Sequence, residues 1–234
     1  MFDLIAFDAD DTLWVNEELY REIESQYVDL LSPFCPPEIT SQKLFETEMA
    51  NLPLYGYGAK SFTLSMVQTA LELSRGQVRA SDIQQIIDWV KAMLAADKPL
   101  LPGVQAVIQQ LSTRYPLMLL TKGDLVEQHS KLACSGLVQF FQHVEIVPFK
   151  EKTVYQNILD RLKIAPERFL MVGNSLKSDV LPVVALGGHG VHIPAAVTWA
   201  HEQVDSHNHG PKYHTLSQIS ELPGLLEQLE KTGG

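Results

Sequence analysis

Cysteine is scarce in this chain: Cys35 and Cys134 are the whole supply among 234 residues, and they stand at no metal-type or redox-type spacing. That argues against a disulfide framework or a thiol-based metal motif, and makes a reducing, cytoplasmic setting the expectation. Basic residues are also few, with Lys+Arg 18 against Asp+Glu 28 and a formal charge of −10. Nowhere do they concentrate as a nucleic-acid or anionic-membrane surface requires, so neither partner is expected. No apolar stretch approaches membrane-spanning length, and the first residues carry Asp3 and Asp8 where a leader would carry a basic segment followed by an apolar one. Internal repeats and low-complexity tracts are missing too. What remains is an ordinary globular composition, 45% hydrophobic and 20% charged, long enough for one large domain or a core with a substantial insertion. A small anionic substrate is compatible with the acidic balance, because a local cation and aimed amides overcome an unfavourable overall field.

The chain then offers an apolar run, Leu4-Ile5-Ala6-Phe7, followed at once by Asp8-Ala9-Asp10-Asp11-Thr12. Such a run without polar interruption fits a strand buried on both faces of a parallel sheet. The acids then fall at its carboxyl end, where open α/β sheets bind ligands. After Trp14 helix signals run for roughly eighty residues, too long for a simple βα connection. Asn16 is placed to cap a helix whose first turn carries Glu17 and Glu18, with Leu19, Ile23, Tyr27, Leu30 and Leu31 on one face. Further helices are expected over 40–52 and 64–73, and Ser81 with Gln84 forms a capping-box pair before another apolar stripe. From Gly103 onward strands (117–120, 144–147, 169–172 and 191–193) alternate with helices (104–114, 125–132, 153–162 and 180–186). Regular alternation predicts a doubly wound α/β fold with helices on both faces, interrupted after its first strand by an all-helical insertion.

Three more features fall at predicted strand ends. Thr121 precedes Lys122-Gly123-Asp124, where a hydroxyl and flexible amides can hold a phosphate. Lys152 stands at the start of the helix beginning near Thr153, where an ammonium group can neutralise an anionic oxygen. Gly173-Asn174-Ser175-Leu176-Lys177-Ser178-Asp179 supplies oxygen ligands for a hard cation. Taken singly, each has a plainer reading: an acid-rich turn, an N-cap, a solvated helix-start lysine, an ordinary turn. Their order along the chain is the informative part.

In that order they resemble the haloacid dehalogenase superfamily of phosphohydrolases. Its Asp-x-Asp-x-Thr pattern is matched by Asp8, Asp10 and Thr12, its Ser/Thr by Thr121, its lysine by Lys152, and its Gly-Asp-x-x-x-x-Asp segment by Gly173, Asn174 and Asp179. The resemblance implies a Rossmann-like core over 1–14 and 99–234 and a helical cap over 15–98. It also implies a phosphatase of small phosphomonoesters. Asp8 would be the nucleophile forming an aspartyl-phosphate and Asp10 the proton shuttle. Mg²⁺ would bind Asp8, the Asp10 carbonyl, Asn174 and Asp179, while Thr121, Lys122 and Lys152 would hold the transferring oxygens. Tyr55 and Tyr57, near Lys60 in a Gly-rich loop, are candidates for contacting the leaving group, and equally for packing on neighbouring helices.

Two positions depart from the family pattern. Asn174 stands where an Asp is usual, and the usual Lys-Pro is absent, with Lys150 two residues upstream of the favoured Lys152. Asp10 favours phosphoryl transfer over dehalogenation, which does not need the second acid. A phosphomutase or another phosphotransferase shares the same core residues, and Asn174 is the one feature favouring a catalytically silent binding protein. A phosphoacceptor signalling domain is disfavoured by the first-strand position of the acids. A monomer or homodimer with a small phosphorylated metabolite as partner is the expectation. The histidines gathered toward the C-terminus, His189, His192, His201, His207, His209 and His214, have no regular metal spacing and are expected in exposed loops.

Overall fold

The computed structural model describes residues 2–197, 199–202 and 210–232. His207 and His209 lie outside the described residues. The expected α/β architecture is present. A parallel sheet of six strands has the order β3-β2-β1-β4-β5-β6. They are β1 (Leu4–Phe7), β2 (Leu117–Lys122), β3 (His143–Val147), β4 (Phe169–Gly173), β5 (His189–His192) and β6 (Tyr213–Thr215). β1 sits centrally, with Ile5 opposite both Leu117 of β2 and Leu170 of β4. The period of two along each strand divides the core. Ile5, Phe7, Leu117, Leu119, Leu170 and Val172 pack with α5 (Val104–Ser112) and α9 (Leu222–Thr232) on one face. Leu4, Ala6, Met118, Leu120, Phe169 and Met171 pack with α7 (Lys152–Leu162) and α8 (Leu181–Val184) on the other. This explains the uninterrupted apolar run of β1, since neither face meets water. Strand order reverses beside β1, so the carboxyl ends of β1, β2 and β4 border the crevice where such sheets take ligands.

The described chain groups into two compact units: Met1–Glu17, Lys98–Lys122 and Lys131–Gly234 form the first, and Glu18–Asp97 with Gly123–Ser130 the second. The second is built on α1 (Glu17–Leu31), α2 (Pro37–Tyr55), α3 (Ala59–Leu73) and α4 (Ala80–Ala95), joined by the start of α6 (Leu125–Cys134). Its own core includes Ile23, Tyr27, Leu31, Leu44, Phe62, Met66, Ile86 and Val90.

Local details differ from the sequence expectations in instructive ways. The α1 terminus is capped by Asp11, whose carboxylate accepts from Asn16 N at 2.9 Å and Glu17 N at 3.0 Å, and not by Asn16. Asp11 reaches them from a left-handed conformation, φ 59°, which an Asp tolerates better than most residues. At α4 the paired residues are Arg79 and Asp82, Asp82 accepting from Arg79 N at 3.2 Å, rather than Ser81 and Gln84. The expected helix over 180–186 is present as the short α8, Leu181–Val184, preceded by a π-helical turn, Leu176–Val180.

Candidate active site

Asp8 leaves β1 with its N–H donated to Val172 O of β4 at 2.9 Å, which fixes its backbone to the neighbouring strand. Its side chain meets a lysine from the β3–α7 connection: Lys150 Nζ donates to Asp8 Oδ1 at 2.5 Å and to Asp179 Oδ1 at 2.7 Å. The Lys150 side chain is 0% exposed, so this ammonium group is held among protein oxygens and shared by two carboxylates. Burial pushes the Asp8 carboxyl up, to about 7, against the pull of Lys150 and with the repulsion of Asp179 added. Burial works against the Lys150 charge, but the attraction of Asp179 and Asp8 outweighs it and raises its pKa.

Asp179 is fixed from its other side by Ser175 N, which donates to Oδ2 at 3.0 Å. Its carboxylate lies across Gly173, where an added Cβ would stand 2.2 Å from Oδ2. Only a residue without a side chain admits that approach. Thr12 links the first and last strand ends: its hydroxyl lies 3.1 Å from Asp8 Oδ2 and 3.3 Å from Asn174 Oδ1, and it accepts from Asn174 N at 3.1 Å.

Asp10 points to a different set of partners. Trp14 Nε1 donates to Asp10 Oδ1 at 2.7 Å, and Lys131 Nζ lies 3.1 Å from both carboxylate oxygens. Lys131 Nζ also donates to Asn16 Oδ1 at 2.8 Å. At the end of β2, Lys122 Nζ donates to Ser178 Oγ at 2.9 Å and to Glu202 Oε1 at 2.5 Å. Glu202 Oε2 accepts from Ser175 Oγ at 2.5 Å and Ser178 Oγ at 2.6 Å. Burial alone would raise the Glu202 carboxyl, yet Lys122 and the two serines hold it down at about 2.

The strand ends thus bring together Asp8, Thr12, Asn174 and Asp179, with Asp10 anchored nearby in sequence. Thr121 is buried in the last part of β2, which runs two residues beyond the expected 117–120 and includes both Thr121 and Lys122. Lys152 is not in the cluster. It opens α7 as an exposed residue, while the extended backbone at Glu151 precedes it and Lys150 turns inward, so the place expected for Lys152 belongs to Lys150. Lys122, expected to hold a transferring oxygen, is engaged with Glu202 and Ser178. Tyr55 ends α2 with its side chain exposed, and Tyr57 is half-buried; both lie in the helical unit, where Lys60 pairs with Asp124 at 2.9 Å.

Lys131 and Glu202 were not singled out in the sequence. The sequence holds no signal for the first: only the structure shows Gln128 and Lys131 buried in α6 while Leu125 and Val126 are exposed. Glu202 carries no local signal, since its partners lie more than twenty residues away.

The oxygens here suit a hard divalent cation. One Thr12 hydroxyl proton serves two acceptors, Asp8 Oδ2 and Asn174 Oδ1, so acceptors outnumber donors at that point. Among the described residues no three His, Cys, Asp or Glu side chains converge as a cage. A set built from one carboxylate, a backbone carbonyl and an amide oxygen is of the kind Mg²⁺ accepts while retaining several waters.

A doubly wound sheet with its acids at the switch point defines a class of ligand-binding α/β proteins, and sequence comparison makes the class specific. The pattern of the haloacid dehalogenase-like hydrolases matches residues 2–187. The chain belongs to that family. A haloacid dehalogenase-like family hydrolase from Xanthomonas campestris superposes with a TM-score of 0.89 at 35% identity, covering 99% of this chain and 93% of that one. Glyceraldehyde 3-phosphate phosphatase of Pyrococcus furiosus is 27% identical over 139 residues, 57% of this chain and 55% of its own length. N-acylneuraminate-9-phosphatase of Mus musculus is 25% identical over 134 residues, 54% of this chain and 52% of its own length. The chain spans about half the length of these curated relatives. Among the described residues no helix is long and apolar enough to cross a membrane.

Proposed function

We propose that this protein is a phosphatase of small phosphomonoesters that works through an aspartyl-phosphate on Asp8. The observation that carries the reading is the buried Asp8 carboxylate with Lys150 Nζ at 2.5 Å and the Asp10 acid two residues on. An isolated nucleophilic carboxylate would repel a phosphate ester; with a buried ammonium beside it, the added anionic charge meets local compensation. The phosphatase names of the curated relatives support the reaction class.

In the first step an Asp8 carboxylate oxygen bonds to phosphorus as the ester P–O bond breaks, and the Asp10 carboxyl gives its proton to the departing alkoxide. In the second, a water oxygen attacks phosphorus, Asp10 takes its proton, and the Asp8–phosphorus bond breaks to release inorganic phosphate. Lys150 balances the charge of Asp8 and Asp179 throughout, and Thr121 supplies a hydroxyl for a transferring oxygen. Asp8, the Asp10 carbonyl and Asn174 would hold Mg²⁺, which supplies charge neutralisation between the carboxylate and the phosphate when bound. Asp179, turned toward Lys150 and Ser175 N, acts in this reading by orienting the lysine rather than as a main ligand. In this reading segment 15–98 has the role of a helical cap, with Tyr55 and Tyr57 as its residues for the leaving group. The protein works in the cytoplasm as a monomer or homodimer.

The test is phosphate release from a panel of esters with Mg²⁺, including triose and sialic-acid phosphates and p-nitrophenyl phosphate. Turnover of at least one ester by the native protein and none by Asp8→Asn is expected. A folded protein inert on the whole panel, or an active Asp8→Asn variant, would sink the reading.

A further inference from the structure

We infer that Lys131 is a positioning residue that fixes the Asp10 carboxylate for proton transfer; this rests on the phosphatase reading. Three facts converge on it. Lys131 is only 7% exposed, a rare state for an ammonium group, which persists only where partners replace water. Its Nζ lies 3.1 Å from each oxygen of Asp10, so it bridges the carboxylate where a one-oxygen contact would leave the group free to rotate. Nζ is itself held by Asn16 Oδ1 at 2.8 Å, and Trp14 Nε1 grips Asp10 Oδ1 at 2.7 Å, so the carboxylate is pinned from two directions by groups that are pinned in turn.

The anchors come from well-packed places. Trp14 is fully buried among Leu13, Val104 and the sheet residues, and Lys131 is followed by Leu132 in the same cluster. The reach of an acid–base group depends on such support, because proton transfer falls away when the donor and acceptor leave hydrogen-bond range. Both 3.1 Å contacts of Lys131 Nζ on Asp10 direct its effect onto the Asp10 carboxylate.

That placement makes a specific demand on the kinetics. A phosphate ester with a poor leaving group, such as an alkyl phosphate, needs protonation as its P–O bond breaks; p-nitrophenyl phosphate releases a stable phenolate and needs it far less. kcat/KM covers the steps up to that bond cleavage and is blind to the later hydrolysis. Loss of the positioning residue should therefore lower kcat/KM selectively for the alkyl ester.

The experiment compares native protein, Lys131→Met and Lys131→Arg on p-nitrophenyl phosphate and on the alkyl ester of the panel that native protein turns over fastest. Lys131→Met should lose about 10²-fold in kcat/KM on the alkyl ester and less than about threefold on p-nitrophenyl phosphate, with Lys131→Arg regaining most of the difference. Equal losses on both esters, or no loss on either, would overturn the inference. If Lys131→Met does not fold, Lys131→Gln, which keeps a polar head for Asn16, is read the same way. Should native protein hydrolyse neither ester, the phosphatase reading fails first, and crystals of the folded variant decide the positioning role: an Asp10 carboxylate turned away from Trp14 supports it, and one left in place overturns it.

Discussion

The two units bury polar groups in opposite styles. In the sheet unit the strands are apolar inside, and ionised groups gather at one edge, where Lys150 lies between Asp8 and Asp179 and Glu202 meets Lys122. In the helical unit the buried polar groups are neutral apart from Asp82, which pairs with Arg79 at the start of α4. Thr40, Leu44, Thr47 and Asn51 form the buried stripe of α2, mostly polar, and it meets a matching stripe of α3. Thr69 Oγ1 donates to Thr47 Oγ1 at 3.0 Å and Asn51 Nδ2 to Ser65 Oγ at 3.1 Å. Neutral pairs cost little to bury once satisfied and lock the register of two helices, whereas buried ions cost much and are kept where their charge is used. The contrast teaches that the sheet edge is shaped by reactivity and the α2–α3 seam by specificity of packing.

Four variants probe that contrast. Removing the shared cation, as Lys150→Met, should be the most damaging, since it leaves Asp8 and Asp179 buried without compensation; a loss of about 3–5 kcal/mol in urea unfolding is expected. A loss below about 1 kcal/mol would mean the edge is not organised around this ion. Gly173→Ala comes next. Its Cβ would stand 2.2 Å from Asp179 Oδ2, so the carboxylate must leave Ser175 N, at about 1–3 kcal/mol and with phosphatase activity lost. In the helical unit, Asn51→Leu should cost about 1–2 kcal/mol, while Thr47→Val combined with Thr69→Val, which removes both partners of their bond, should be nearly neutral. A double variant as damaging as the charge removal would erase the distinction between the units.

The smallest effect is acid-dependent. The folded Glu202 carboxyl titrates at about 2 against an ordinary 4.5, so it binds its proton less readily than in the unfolded chain. The stability it contributes is complete above pH 4.5 and is lost as pH falls from there to about 2. Glu202→Gln should flatten the pH dependence of the unfolding free energy in urea across that window, by on the order of 1 kcal/mol after solvent screening of its exposed edge. Identical slopes for native and variant proteins would show that the Lys122 contact carries no linkage.

What could be read from the sequence was whatever one local pattern decides. β1 was legible because burial on both faces leaves an unbroken apolar run, and the Asp8, Asp10 and Thr12 spacing followed from it. β6 was not, because Tyr-His-Thr is short, half-exposed and polar. Asn16 and Asp11 are both plausible caps by type, and only the left-handed turn at Asp11 decides between them. Lys150 and Lys152 differ by two positions, and the inward turn before α7 is a tertiary fact. Lys131 and Glu202 acquire their partners across long separations, 121 residues for Lys131 and Asp10, where no spacing rule operates.

The boundary of the helical unit has a consequence for modularity. Because Gly123–Ser130 groups with Glu18–Asp97, the chain passes between the two bodies again after the first insertion has closed. Glu127 Oε2 accepts from Ala59 N at the start of α3 at 2.9 Å, and Tyr20 donates to its other oxygen at 3.3 Å. Glu127 is therefore an end-piece of the helical bundle borrowed from a distant stretch of sequence. A graft of 18–97 alone into another scaffold would arrive with the N-terminus of α3 uncapped and Lys60 without Asp124. The transferable module is discontinuous, and recombination at the obvious boundaries would cut it in two.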